Sequence, residues 1–366
     1  MFLPKSLSFY TAALVLSLVF TRCNNAETPA TAEPANTDSS AAKTNDYLSQ
    51  PLVSHIYTAD PSAHVFNGRF YIYPSHDTAT GTPENDNGDH FNMMDYHILS
   101  MDSIGGPVTD HGVALDIKNI PWAGRQLWAP DAAFANNTYY LYFPVKDKQD
   151  VFRIGVASSS KPEGPFVAEK DPLKGSYSID PCVFKDDDGK YYLYFGGIWG
   201  GQLQRWNNNK YDAAGSLCKP EEPAILPRVA RLSPDMKSFA EPVKEVKLVD
   251  EKGNTYFEKD NDKRFFEAAW LHKYKGKYYF SYSTGDTHNI CYATGDSPYG
   301  PFTYKGILLK PVDGWTNHHS IVEKDGKWYL FYHDVQLSGK THLRNVKVAP
   351  LQYNEDGTIQ TLSARK

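Results

Sequence analysis

Asp60, Asp131, Asp180, Glu267 and His318 occupy matched places in this sequence, each at the head of an apolar or aromatic segment. Their settings are Thr58-Ala59-Asp60-Pro61, Trp128-Ala129-Pro130-Asp131, Ser178-Ile179-Asp180-Pro181, Phe265-Phe266-Glu267-Ala268 and Asn317-His318-His319-Ser320. Carboxylates brought together repel one another when ionised, so the most desolvated member keeps its proton and others stay charged. A protonated acid facing an ionised carboxylate can hand a proton to a departing oxygen while the carboxylate takes one from an attacking water. For Asp60 and Asp180 taken singly, the plain alternative is a turn opener before proline. Asp131 reads either as an acceptor for a substrate hydroxyl or as a structural cap. Asp186, Asp187 and Asp188, just ahead of Gly189, read as a solvated hairpin turn rather than as ligands. Trp128 offers a face on which a ring-shaped ligand stacks, although core packing is the ordinary use of tryptophan.

A repeat must bring these residues together. Turn-forming pairs are followed by aromatic strands five times: Asn67-Gly68 before Phe70-Tyr71-Ile72-Tyr73, Asn136-Asn137 before Tyr139-Tyr140-Leu141-Tyr142, and Asp188-Gly189 before Tyr191-Tyr192-Leu193-Tyr194. Lys275-Gly276 before Tyr278-Tyr279-Phe280 and Asp325-Gly326 before Trp328-Tyr329-Leu330 complete the set. Such pairs accept the positive φ of tight hairpin turns, and the aromatics suit a packed pleated surface. A hairpin cannot bury both faces alone, so copies roughly fifty to ninety residues apart imply blades around an axis. The expectation is an all-β, five-bladed β-propeller over residues 49–366. Residues at equivalent repeat positions then converge at one rim of the central channel. The stretches Lys161-Pro162-Glu163-Gly164-Pro165-Phe166 and Ser297-Pro298-Tyr299-Gly300-Pro301-Phe302 read as one outer-strand corner used in blades two and four.

Composition agrees with many short strands: 14% aromatic residues, 25 of them Tyr, with 26 Gly and 24 Pro as punctuation. A net charge of −5, without a basic stripe, argues against a nucleic-acid partner and for a neutral ligand. Lys5 ahead of the apolar run Ala12–Phe20 marks residues 1–22 as a signal peptide, so the chain is expected to be secreted. Cys23 follows directly. It reads either as the lipid-modified first residue of a periplasmic or outer-membrane lipoprotein, the one expected membrane link, or as part of a discarded peptide. Residues 23–48, rich in Ala, Thr, Pro and Ser, have no apolar period and read as a flexible tether. Cys182, Cys218 and Cys291 show no metal-like spacing; buried free thiols are expected, with a single disulfide as the alternative.

From about Leu52 onward the chain resembles family 43 glycoside hydrolases, five-bladed propellers acting on arabinan and xylan. The resemblance rests on Asp60-Pro61 in blade one, Trp128-Ala129-Pro130-Asp131 in blade two and Ile179-Asp180-Pro181 with Asp186-Asp187-Asp188-Gly189 in blade three. Glu267 with its apolar neighbours and Asn317-His318-His319-Ser320 complete it. It implies that Asp60 is the general base, Glu267 the general acid, and Asp180 the carboxylate that tunes and orients that acid. By the same resemblance, Arg344 grips sugar hydroxyls, against the plain reading of an exposed strand charge. Trp128 becomes a stacking surface for sugar. His318 matches an axial histidine that in many members binds a calcium ion or a water cluster at the channel centre. No cofactor is expected for the chemistry, with Ca2+ only a structural ion. Ala268 departs from the glycine frequent there, which would narrow the site.

The implied activity is inverting exo-hydrolysis of plant cell-wall xylan or arabinan oligosaccharides, releasing β-D-xylose by preference or α-L-arabinofuranose. Acid and base then stand roughly 6.5–9.5 Å apart with room for water. A fructan-cleaving enzyme would carry Asn-Asp-Pro-Asn-Gly near Asp60, which is missing. The remaining alternatives are an endo-acting arabinanase of the same fold and a carbohydrate-binding propeller without catalysis.

Overall fold

The computed structural model describes residues 46–366. The expected signal peptide, Cys23 and the tether up to residue 45 lie outside the described residues. The boundary expected at residue 49 moves towards the N-terminus. Tyr47 bridges to Arg365, and the Leu48 N–H donates to the Ala364 carbonyl at 2.9 Å, so both belong to the folded unit that begins at Asp46.

Five sheets, antiparallel except for one outer strand of blade four, form the five blades of a propeller, as expected. Blade one is β1 (Tyr57–Phe66), β2 (Arg69–Asp77), β3 (Asp95–Met101) and β4 (Thr109–Asp116), paired in that order. In blade two, β5 (Ala123–Leu127) and β6 (Asp131–Ala135) both pair with β7 (Thr138–Asp147), and β8 (Phe152–Ser159) and β9 (Val167–Ala168) follow outward. Blade three begins with β10 (Cys182–Lys185) and β11 (Tyr191–Phe195). A small hairpin, β12 (Trp206–Asn207) and β13 (Lys210–Tyr211), then precedes the outer β14 (Arg228–Arg231) and β15 (Lys244–Glu245). In blade four, β16 (Leu248–Val249) lies parallel outside a meander of β17 (Phe265–Tyr274), β18 (Lys277–Thr284), β19 (Ile290–Gly295) and β20 (Phe302–Leu309). Blade five is β21 (His319–Lys324), β22 (Lys327–Asp334) and β23 (Asn345–Leu351). The inner strands β1, β6, β10, β17 and β21 touch in a closed ring.

The turn residues explain the hairpins. Asn67-Gly68, Asn136-Asn137, Lys275-Gly276 and Asp325-Gly326 all have positive φ, the backbone hand that matches strand twist. Blade three differs, because its turn is longer and its acids are not simply solvated. Asp186 is buried and accepts from the Tyr278 hydroxyl at 2.7 Å and from Lys273 at 3.0 Å, so the turn bridges to blade four.

The last tyrosine of every repeat, Tyr73, Tyr142, Tyr194, Tyr282 and Tyr332, is completely buried between blades. Each such ring contributes about 2 kcal/mol by burial, provided its hydroxyl is paired. Each hydroxyl is paired: Tyr73 donates to the Pro162 carbonyl at 2.8 Å, Tyr142 to that of Met236 at 2.7 Å, and Tyr194 to that of Pro298. Tyr282 donates to the Lys263 carbonyl at 2.5 Å, and Tyr332 meets Ser49 at 2.9 Å. Pro162 and Pro298 sit in the two matching corners, each of which contains a cis Gly–Pro bond. Cys182, Cys218 and Cys291 are free thiols. The ring closes between blades five and one, where the Thr58 N–H donates to the Arg344 carbonyl and the Leu52 N–H to that of Val346, both at 2.9 Å.

Candidate active site

Three of the candidate residues sit where the inner strands depart from regular β geometry. Asp60 lies within β1, at a bulge between Ala59 and Ser62, with φ of 48°. Asp180 precedes β10 with φ of 56°. Glu267 lies in β17 between two register shifts, and the next residue, Ala268, has φ of 60°. A bulge turns a side chain out of the alternation that would bury it in the sheet, here towards the channel mouth. Left-handed backbone at a non-glycine residue costs on the order of 1–3 kcal/mol, so the bonds around each position must hold it.

For Asp60 those bonds are fully visible. Its backbone N–H donates to His333 Nδ1 at 3.0 Å, which leaves the His333 proton on Nε2, facing Thr316. Oδ2 accepts from the Ser75 hydroxyl at 2.7 Å, and Oδ1 accepts from Arg344 Nη1 at 2.8 Å. Arg344 is itself clamped by Asp77, with Nε and Nη2 each 2.8 Å from a carboxylate oxygen. Burial alone would raise the Asp60 pKa, but the charge of Arg344, the neighbouring His333 and His318, and the Ser75 hydrogen bond outweigh it. Together they bring the group down to about 2. Asp60 is an ionised carboxylate at any working pH.

Glu267 has the opposite setting. No hydrogen bond holds its carboxyl among the described residues. Burial, reinforced by the negative charge of Asp60 and only partly opposed by Arg344, raises its pKa to about 8. Asp180 accepts from the Ala268 N–H at 2.7 Å, and burial together with repulsion from Glu267 and Asp60 pushes its pKa up as well. His318 Nδ1 lies 3.6 Å from Asp60 and 3.8 Å from Asp180. Burial lowers its pKa to about 4, so it is a neutral imidazole between two acids.

Asp60, Asp180, Glu267, His318 and Arg344 line one pocket of about 230 Å³. Trp128 is in its wall, wedged so tightly that a Cβ on Gly88 would stand 2.6 Å from the indole. Trp199 and Trp315 form an aromatic rim, ring centroids 5.5 Å apart, and Trp315 is 41% exposed. Residues 84–91 close another side.

Asp131, expected either to meet substrate or to cap structure, is not in the pocket. It is 1% exposed and accepts from Ser62, from His64 at 2.6 Å, from the Ala132 N–H at 2.7 Å and from the Val183 N–H at 2.5 Å. Its oxygens are used up in tying blades one, two and three together. Arg344, by contrast, does line the pocket. It is 3% exposed rather than an exposed strand charge, and the donors spent on Asp77, Asp60 and Thr316 leave little for a sugar hydroxyl. Ala268 does not narrow the site: its side chain is fully buried away from the pocket, and its N–H serves Asp180. Ser75, Asp77, His333 and Thr316 were not singled out from sequence. Counting back from the Asn67-Gly68 turn in the unbroken register of Phe66–Arg69 to Ser62–Tyr73 would have set Ser75 opposite Asp60; the bulge moves the backbone pairing to Ala59, and the Ser75 hydroxyl still reaches Asp60.

A five-bladed propeller with an ionised Asp60 and a proton-holding Glu267 in a single pocket has the pair of carboxyls that a glycoside hydrolase needs. The model of glycosyl hydrolases family 43 matches residues 110–359, and the chain belongs to that family. It is 69% identical to a β-xylosidase/α-arabinofuranosidase from a compost microbial metagenome, solved with xylotriose in a calcium-free form. That match has a TM-score of 0.85 and covers 86% of this chain and 97% of the other. It is 60% identical to a xylosidase/arabinosidase of Bacteroides ovatus, over 86% of this chain and 97% of the relative. A xylosidase/arabinosidase of Humicola insolens is also 60% identical, over 85% and 98%.

Proposed function

We propose that this enzyme removes single pentose units from xylan- or arabinan-derived oligosaccharides by direct displacement with inversion. β-D-Xylose is the favoured product and α-L-arabinofuranose the second. The observation that carries this reading is the split between two carboxyls in one pocket, Asp60 near 2 and Glu267 near 8. Asp60 takes a proton from the attacking water, its lone pairs aimed by Arg344 and Ser75. Glu267 gives its proton to the departing glycosidic oxygen, and the unpaired setting of its carboxyl leaves it free to do so. Asp180, whose own pKa is raised by burial and by the Glu267 and Asp60 charges, accepts from the Ala268 N–H and so orients the strand segment that carries Glu267. The walled pocket suits a chain end, and the relatives named xylosidase/arabinosidase support the choice of pentose. Initial rates on aryl β-D-xylopyranoside and aryl α-L-arabinofuranoside test it. The expected result is release of both pentoses with xylose ahead; binding without turnover of either would leave only a lectin.

The family's chemistry needs no cofactor. Calcium enters only in a restricted form, because it takes six to eight oxygen ligands. His318 offers a nitrogen, and the nearby oxygens of Asp60 and Asp180 are already engaged by Arg344, Ser75 and the Ala268 N–H. These residues fit a largely hydrated cation held at His318, which would supply a positive field at the channel centre. A His318→Gln protein that binds calcium as the unaltered one does would remove His318 from that role. For location, the apolar run ahead of Cys23 supports export, with lipidation of Cys23 as the anchor. Full-length protein should then partition with membranes and the Cys23→Ala protein should not.

A further inference from the structure

β2 and β3 are joined by backbone pairing only at Phe70–Met101, Tyr71–Ser100 and Ile72–Leu99. Beyond Ile72 the two strands run on without a ladder, and Pro74 has no N–H to offer. Side chains occupy that gap. His76 Nδ1 lies 2.6 Å from Asp95 Oδ1, and His97 Nε2 lies 4.0 Å from the same oxygen. One ligand atom from each of the three lies within 4.8 Å of the other two, the one such trio among the described residues. All three are partly exposed, at 17%, 22% and 14%, so an ion can reach them.

The surroundings aim this trio. His97 Nδ1 is 2.9 Å from Asp110 Oδ1, and the other oxygen of Asp110 is 2.8 Å from His55 Nε2. A carboxylate at Nδ1 fixes the proton there and leaves the Nε2 lone pair facing His76 and Asp95, the arrangement that orients metal-bound imidazoles. His97 Nε2 has no hydrogen-bond partner among the described residues. Hydrogen bonding within the cluster therefore explains His76 and Asp95 but leaves this nitrogen unused.

We propose that His76, Asp95 and His97 bind a divalent transition-metal ion of the zinc class, separate from the channel at His318. Two imidazoles and one carboxylate suit such an ion and not the harder calcium or magnesium. Three protein ligands leave one position for water. The ion would clamp the strand ends where the ladder fails. Between those ends runs the segment that supplies residues 84–91 to the pocket wall, and next to His76 stand Ser75 and Asp77, which hold Asp60 and Arg344. The site is a brace under the pocket and not part of the chemistry.

The test uses chelator-treated full-length protein carrying His318→Gln, which silences the channel imidazole. Zn2+ is titrated by calorimetry, Co2+ by visible absorption, and melting temperature is read with and without Zn2+. The expected result is one tight equivalent of Zn2+, a tetrahedral Co2+ band and a higher melting temperature with metal. Adding His97→Gln or Asp95→Asn should abolish the band and the thermal shift. Asp110→Asn, which keeps all three ligands, should weaken zinc roughly 10–100-fold. Near-UV circular dichroism checks that each variant is folded. Absence of saturable Zn2+ binding in the His318→Gln protein overturns the proposal without any further variant. Unchanged affinity in folded His97→Gln or Asp95→Asn protein overturns it equally.

Discussion

Glu267→Gln replaces a carboxyl that the pocket holds protonated with a neutral group of nearly the same shape. In the folded protein, burial and the charge of Asp60 raise the Glu267 pKa from its ordinary 4.5 to about 8. Between those values the unfolded chain has released the proton and the folded chain has kept it, so rising pH favours unfolding. Wild-type stability should therefore fall by about 1.4 kcal/mol per pH unit across this window from this group alone. At pH 7 the loss amounts to about 3 kcal/mol, and it is absent below pH 4.5, where both states carry the proton. Glutamine does not titrate. The variant should match wild type near pH 4, exceed it by about 3 kcal/mol at pH 7, and reach a constant lead of about 5 kcal/mol above pH 8. Above pH 8, where Glu267 of the wild type ionises, its charge acts on Asp180, and the variant's freedom from that repulsion can only widen the gap. Urea unfolding of both proteins from pH 4 to pH 8, compared by midpoint and slope, measures it. Parallel curves, or a wild type that is the more stable at pH 7, would refute the claim that the pocket keeps Glu267 protonated.

Three further outcomes follow from the site. Asp60→Asn should abolish hydrolysis of every aryl glycoside, whereas Glu267→Gln should spare activated leaving groups, which need little protonation; rates across phenols of graded acidity distinguish the two. Arg344→Gln removes the largest influence that lowers the Asp60 pKa, so the acid limb of kcat/KM should move up by about 1–3 pH units. An unmoved limb would deny that Arg344 keeps Asp60 ionised. Asp131→Ala strands Ser62, His64 and the Val183 N–H and should cost about 3 kcal/mol of stability. Its folded fraction should keep the wild-type KM, and a raised KM would return Asp131 to the substrate.

The fold was legible because every repeat states its turn and its strand pair locally. Asn67-Gly68 and its counterparts prescribe the hairpins, and the final tyrosines prescribe the layers between blades. The convergence of Asp60, Asp180, Glu267 and His318 followed from repeat position alone. What repeat position does not encode is side-chain direction. Asp131 heads β6 as the repeat requires, yet it begins regular strand, whereas Asp60 and Glu267 sit at bulges that turn them outward. A bulge at Asp60 and Glu267, and left-handed backbone ahead of the strand at Asp180, separate the pocket carboxylates from the buried brace, and these departures depend on partners in other blades. Arg344 shows the same limit. Its charge is plain in the sequence, but its pairing with Asp77 and Asp60, residues more than 260 positions away, exists only when blade five closes on blade one.

The central claim, that Asp60 activates water against a centre protonated by Glu267, is tested most directly by the configuration of the first-formed sugar. Proton NMR of a fast hydrolysis of an aryl β-D-xyloside, recorded before mutarotation, should show α-xylose appearing first and the β anomer growing in later. Initial appearance of β-xylose, or transfer of the sugar to added alcohol with retained configuration, would require a covalent intermediate and contradict the roles assigned to both residues.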